Sequence, residues 1–190
     1  MSTDLFIRAL TELLMRVDRG MLEFEEPPPE NVATGLMQAL RAFGEQAVPI
    51  IHAVLREYWS QGDGGSEAHL VDVITEIGDA SSVPYLIELH ARHANYLTSL
   101  VAIQALRKLR TEAAYTYLAQ LLMRYADGDH RAFQTMSEAT TCCLAMDEWN
   151  DPRAVTALQA ALRIEAHSVH GIQEVVEAAL ARYRGNDMME

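Results

Sequence analysis

The chain has 190 residues, 49% of them apolar, with 10 Gly and 6 Pro, so it can bury a sizeable core and is neither collagen-like, linker-rich nor globally disordered. Acidic residues outnumber basic ones 27 to 15, for a formal net charge of −12. The excess runs through every third of the sequence and leaves no basic block, which argues against non-specific binding of DNA or RNA through phosphates.

The first residues, Met1-Ser-Thr-Asp-Leu-Phe-Ile-Arg-Ala-Leu, hold no basic region followed by an apolar stretch, so they read as a helix start and not as a signal peptide. Apolar residues then recur at spacings of three and four, as in Leu5, Leu10, Leu13, Leu14 and Val17. The same period predicts helices over 3–18, 30–43, 46–60, 66–77, 81–93, 95–109, 112–127, 129–146, 151–166 and 168–184. Ser66, Asp129, Asp151 and Ser168 stand where N-caps are expected, and Pro49, Pro84 and Pro152 fall in first turns. Gly20 to Pro29, with the triple proline 27–29, reads as a stiff connector, and Gly62-Asp63-Gly64-Gly65 as a flexible loop. No alternating β-branched run suggests a sheet, and no apolar run reaches the ~18 residues of a membrane span. Cys142 and Cys143 are adjacent and point about 100° apart on a helix, so no disulfide is expected, which fits a reducing cytoplasm. Arginine outnumbers lysine 14 to 1, which carries no functional reading.

Part of this pattern repeats. Leu40-Arg-Ala-Phe-Gly-Glu-Gln-Ala-Val-Pro is matched by Ile74-Thr-Glu-Ile-Gly-Asp-Ala-Ser-Ser-Val-Pro. A third copy runs from Leu106 with Arg110 in place of the glycine, and a fourth from Met146 through Trp149-Asn150-Asp151-Pro152. A left-handed residue after one helix and an acid before the next explain the turn. Asn150 is the next-best substitute for glycine there, whereas Arg110 is a departure.

The Phe43-Gly44-Glu45/Val48-Pro49 and Ile77-Gly78-Asp79/Val83-Pro84 motifs, with Val101-Ala102 and Ala105-Leu106, make residues ~30–185 resemble HEAT repeats, notably the short bacterial kind found in phycobilisome-lyase-like proteins. The resemblance implies an all-α, right-handed α-α superhelix, a HEAT/armadillo-like solenoid of about ten helices. It divides the chain into an N-terminal capping helix and Pro-rich connector (1–29), a repeat domain (30–185) and a disordered tail (186–190). It says little of function, because the family spans scaffolds, adaptors, chaperones and a few enzymes.

Chemistry-bearing residues are sparse. His90 and His93, and His167 and His170, are i, i+3 pairs that can share a helix face, but no third ligand accompanies either, so no metal is expected. The di-iron enzymes that resemble this fold depend on His-Glu dipeptides, and none occurs here. Cys142 and Cys143 have no sequence neighbour that would lower a thiol pKa and read as core residues. Glu25-Glu26 and Asp147-Glu148 read as solvated acids near helix ends. Nucleotide-binding glycine loops, zinc-protease histidine pairs and nucleophile elbows are absent. The expectation is therefore a non-enzymatic chain without a cofactor.

The remaining candidate is a surface. The second helix of each pair in such a stack usually lines its concave side. Aligning the copies gives one stripe expected to face solvent: Met37 and Arg41; Val71 and Thr75; Tyr96, Ser99, Ile103 and Arg107; Ala139, Cys143 and Asp147. Tyr96 and Arg107 are the preferred contacts, since Tyr and Arg are enriched at binding hot spots, while Trp59 and Trp149 read as packing caps. The expected function is a cytoplasmic scaffold or adaptor that binds a protein bearing a basic patch, and neither nucleic acid nor membrane. Two alternatives stand beside it: a tetrapyrrole lyase or chaperone, and an acidic immunity-type inhibitor of a basic toxin.

Overall fold

The computed structural model describes residues 2–18, 32–60, 67–92, 96–129, 131–163 and 170–186. Helices joined by short turns make up these residues, with no strand among them. Ten α-helices follow in order: α1 (Thr3–Asp18), α2 (Val32–Arg41), α3 (Ala47–Ser60), α4 (Ala68–Ile77), α5 (Val83–Ala91), α6 (Tyr96–Leu109), α7 (Glu112–Ala126), α8 (Met136–Trp149), α9 (Ala154–Ala161) and α10 (His170–Asn186). Short 3-10 turns at Gly44–Gln46 and Ala80–Ser82 lead into α3 and α5. The connector 20–29, the loop 62–65, the cap positions Ser66 and Ser168, and residues 187–190 lie outside the described residues, and Asn186 closes α10.

The chain forms two compact units, residues 1–105 and 106–190. The division falls within α6, whereas the sequence boundaries were drawn at 29/30 and 185/186. In the first unit, α1 packs on α2, α3 and α4, and α2 packs on α4. Ile7, Leu14, Leu40, Ile51, Leu55, Leu70 and Ile74 are fully buried there. In the second, α7 packs on α8 and α9, and α10 on α8 and α9, around Leu118, Leu122, Cys142, Met146 and Leu158. Of the α1 stripe read from the sequence, Leu14 is fully buried, whereas Leu5 and Leu13 are exposed.

The repeated turn is visible in the backbone. Gly44, Gly78, Arg110 and Asn150 have φ of +57°, +78°, +51° and +51°. They follow α2, α4, α6 and α8, one in each sequence copy. At Gly78 the amide donates to the Ile74 carbonyl, and the Asp79 carboxylate accepts from the Ser81 amide at 2.9 Å, which opens the next turn. Arg110 takes the left-handed conformation despite its Cβ, and its guanidinium donates to the Glu148 carbonyl at 3.0 Å.

Two helix starts come well after the predicted ones: α9 begins at Ala154, so Asp151 and Pro152 precede it, and α8 differs by more. The period suggested a helix from residue 129, but α8 begins at Met136. Asp129 instead accepts from the Arg131 amide and pairs with Arg124. The true cap is Thr135, which with Glu138 forms a capping box in which each side chain accepts from the other's end of the turn.

Candidate functional site

Seven residues of the expected surface stripe are buried, which corrects the sequence reading. Val71, Ile103, Ala139 and Cys143 have no exposure, and Ser99, Thr75 and Met37 are nearly as closed. Thr75 also turns its hydroxyl back onto the Val71 carbonyl. α2, α4 and α8 each bury a face wider than one row, because an adjacent helix and one two apart in sequence pack on each of them. The row that reaches solvent lies one position later, about 100° around each helix. It comprises Gln38 and Ala42, Asp72 and Glu76, Leu97, Leu100, Gln104 and Lys108, and Thr140, Leu144 and Glu148, all exposed or half-buried.

Of the original stripe, Tyr96 remains open, at 62% exposure, beside Leu97 at 49%. Arg41, Arg107 and Asp147 are half-buried and held in ion pairs. Arg41 pairs with Glu76 at 2.5 Å, Arg107 grips Glu148 through two nitrogens, and Arg182 donates to Asp147. These pairs tie each arginine to a carboxylate of the solvent-facing row or next to it.

Unit 106–190 also holds a cleft of about 240 Å³, lined by Arg110, Thr111, Glu112, Tyr115, Trp149, Asp151 and Arg153. The Arg153 guanidinium lies 4.6 Å over the Tyr115 ring and donates to Glu112 at 2.7 and 2.9 Å and to Asp151 at 2.5 Å and beyond. Those bonds hold both carboxylates below their ordinary pKa and raise that of Arg153. Burial, reinforced by Asp151, pushes the Tyr115 hydroxyl up to about 12. The cleft is thus a clamp in which the Arg153 guanidinium is compensated by the Glu112 and Asp151 carboxylates. Trp149, expected as a packing cap, donates to the Arg107 carbonyl at 3.1 Å and also forms one cleft wall.

Unit 1–105 holds an aromatic stack. His52 lies on Tyr85 with centroids 4.3 Å apart, and Tyr85 on Trp59 at 5.1 Å, with nearly parallel planes. Arg92 caps Trp59 at 4.6 Å. The buried Glu67 carboxylate accepts from Trp59 Nε1 at 3.0 Å and from Thr98 Oγ1 at 3.2 Å. Burial, with Arg56 nearby, lowers His52 to about 4, so the imidazole is neutral in the folded protein. This stack was not legible in the sequence, since its four aromatic and arginine members are scattered over 40 positions from His52 to Arg92.

His90 is buried, the side chain of His170 is not described, and His93 and His167 lie outside the described residues. Among the described residues no group of three or more His, Cys, Asp or Glu converges as a metal site. Cys142 and Cys143 are both buried thiols; burial lifts Cys143 to about 12 and Cys142 well above its ordinary value. No described helix is long and apolar enough to cross a membrane.

Scans against protein-family models, curated proteins and solved structures gave no match to this chain.

Proposed function

We propose that the chain is a HEAT-like, non-catalytic, cytoplasmic module that binds a protein with a basic patch. The repeat reading is supported by the four left-handed turns and by helices two apart in sequence packing together, α1 with α3, α2 with α4, α7 with α9 and α8 with α10.

The observation that carries the binding reading is where the charge lies. Residues 1–105 contain fifteen acidic and six basic residues, against twelve and nine in 106–190. Within the first unit Arg8, Arg41 and Arg56 are already paired to Glu12 and Glu57, Glu76 and Glu88. The surplus there is therefore a net negative field, and it shares its unit with the exposed Tyr96-Leu97 pair. A field of this sign steers basic surfaces inward, and exposed aromatic and aliphatic side chains supply short-range contact.

Affinity capture from the native host, run at low and high salt, tests this. The expected result is a basic protein released as salt screens charges beyond ~8–10 Å, and lost with a Tyr96→Ala/Leu97→Ala variant that keeps its melting temperature. Capture of nucleic acid, or of the same proteins by wild type and variant alike, would overturn it.

A further inference from the structure

We infer that the cleft of unit 106–190 is a binding site for a small aromatic carboxylate, with its charged end on Arg110 and its ring against Trp149. The starting observation is a backbone outlier. Of the four left-handed turns, two use glycine and one asparagine, and only that of Arg110 carries a long side chain, at φ +51°. A Cβ in that conformation costs folding free energy, and strained residues of this kind cluster at ligand sites. What the strain places in the cleft lining is an exposed guanidinium. Its hydrogen bond goes to a neutral group, the Glu148 carbonyl at 3.0 Å, and among the described residues no carboxylate pairs with it.

The rest of the cleft selects the ligand. Glu112 and Asp151 are spent on Arg153, which bonds both, so Arg110 is the lining charge left without a counter-ion. One anionic group fits it, whereas a second would meet the two carboxylates. α7 opens at the cleft through Thr111 and Glu112, and the amide end of a helix favours the same sign. Tyr115, only 7% exposed, holds a buried hydroxyl with no hydrogen-bond partner among the described residues, and a carboxylate oxygen is the acceptor it lacks. Tyr115 and Trp149, with ring centroids 5.6 Å apart, form an aromatic wall. At about 240 Å³ the cleft falls below the ~300–1,000 Å³ of drug-sized sites and holds a single ring.

Titration of the full chain with sodium benzoate, followed by calorimetry and by the NMR signals of the two tryptophan indoles, tests this. The expected result is saturable one-to-one binding in the ~1–10 mM range that moves the Trp149 signal and leaves that of Trp59, in the other unit, in place. Benzyl alcohol and benzylammonium, which lack the negative charge, bind at least ~10-fold more weakly. N-acetylphenylalanine carries the same carboxylate and ring at a chain end; binding tighter than benzoate identifies a peptide C-terminus as the source, and weaker binding a free acid. Arg110→Gly separates binding from folding: it keeps or raises the melting temperature, because glycine suits the turn as Gly78 does, and weakens benzoate ~10-fold or more. Tyr115→Phe, which keeps the ring, weakens it several-fold. Benzoate that fails to saturate, or that binds Arg110→Gly as it binds wild type, would overturn the inference. So would a preference for benzylammonium, meaning that Glu112 and Asp151 decide, or a lower-melting Arg110→Gly chain, meaning that the guanidinium serves the fold by capping α8.

Discussion

His52 shows how one buried side chain sets a pH dependence. Folding holds its imidazole near pKa 4, while the unfolded chain has the ordinary value of 6.5. The unfolded state therefore binds more protons between these limits, so stability is complete above pH 6.5 and is lost as pH falls toward 4. At one pKa unit per ~1.4 kcal/mol, the loss by pH 5 is on the order of 2 kcal/mol. Urea midpoints at pH 7.5, 6 and 5 should show that slope, and His52→Phe, which keeps a ring against Tyr85, should flatten it. The carboxylates held down by arginine or hydroxyl partners, such as Glu148 and Asp79, keep their contribution above their ordinary values of 4.5 and 3.8 and lose it only as pH falls below them, so they leave the slope between pH 6.5 and 5 to His52. Gly78 is the second residue with a sharp consequence. A Cβ there meets no atom within 4 Å, so any cost is backbone strain at φ +78°. Gly78→Val should destabilise by ~1–3 kcal/mol and Gly78→Asn by less, as Asn150 tolerates the same turn. Equal melting temperatures for valine and wild type would contradict the turn.

At the level of elements, helix periods were legible and helix starts less so. The span of α1 agrees with its apolar stripe, and α3 and α6 agree within a residue or so. The start of α8 did not, because Ala132 and Phe133 extend the apolar period while being buried from a turn, not a helix. The deciding signal, Thr135 followed three positions later by Glu138, is a local motif that periodicity overlooks. Glu138 is fully buried and accepts from the Gln134 amide at 2.6 Å and the Thr135 amide at 3.4 Å. Thr135→Ala should therefore cost ~1–2 kcal/mol, and Glu138→Ala more, since it removes the acceptor of two part-buried amides and empties a fully buried site. Thermal melts and amide exchange over residues 136–140 check this; unchanged exchange in both variants would contradict the cap.

For the whole chain, the recurrent left-handed turn was legible and the surface was not. Turn chemistry is local, so Gly44, Gly78 and Asn150 announced their conformations in sequence, and even Arg110 follows the copy it belongs to. Facing is set by which helices pack around an element, and a one-position slip moves a row by about 100°. That slip separates the buried Val71, Ser99, Ile103 and Cys143 from the half-buried Asp72, Leu100 and Leu144 and the exposed Gln104. The uneven charge was likewise hidden, because thirds of the sequence do not coincide with units that meet at residue 105. Hydroxyl-radical footprinting of the chain with its captured partner tests the binding account most directly. Tyr96 and Leu97 should lose labelling several-fold, while Met123 and Leu162, at 40% and 42% exposure in the other unit, serve as references and stay unchanged. Unchanged labelling of Tyr96 and Leu97 with protection of Met123 and Leu162 would contradict it.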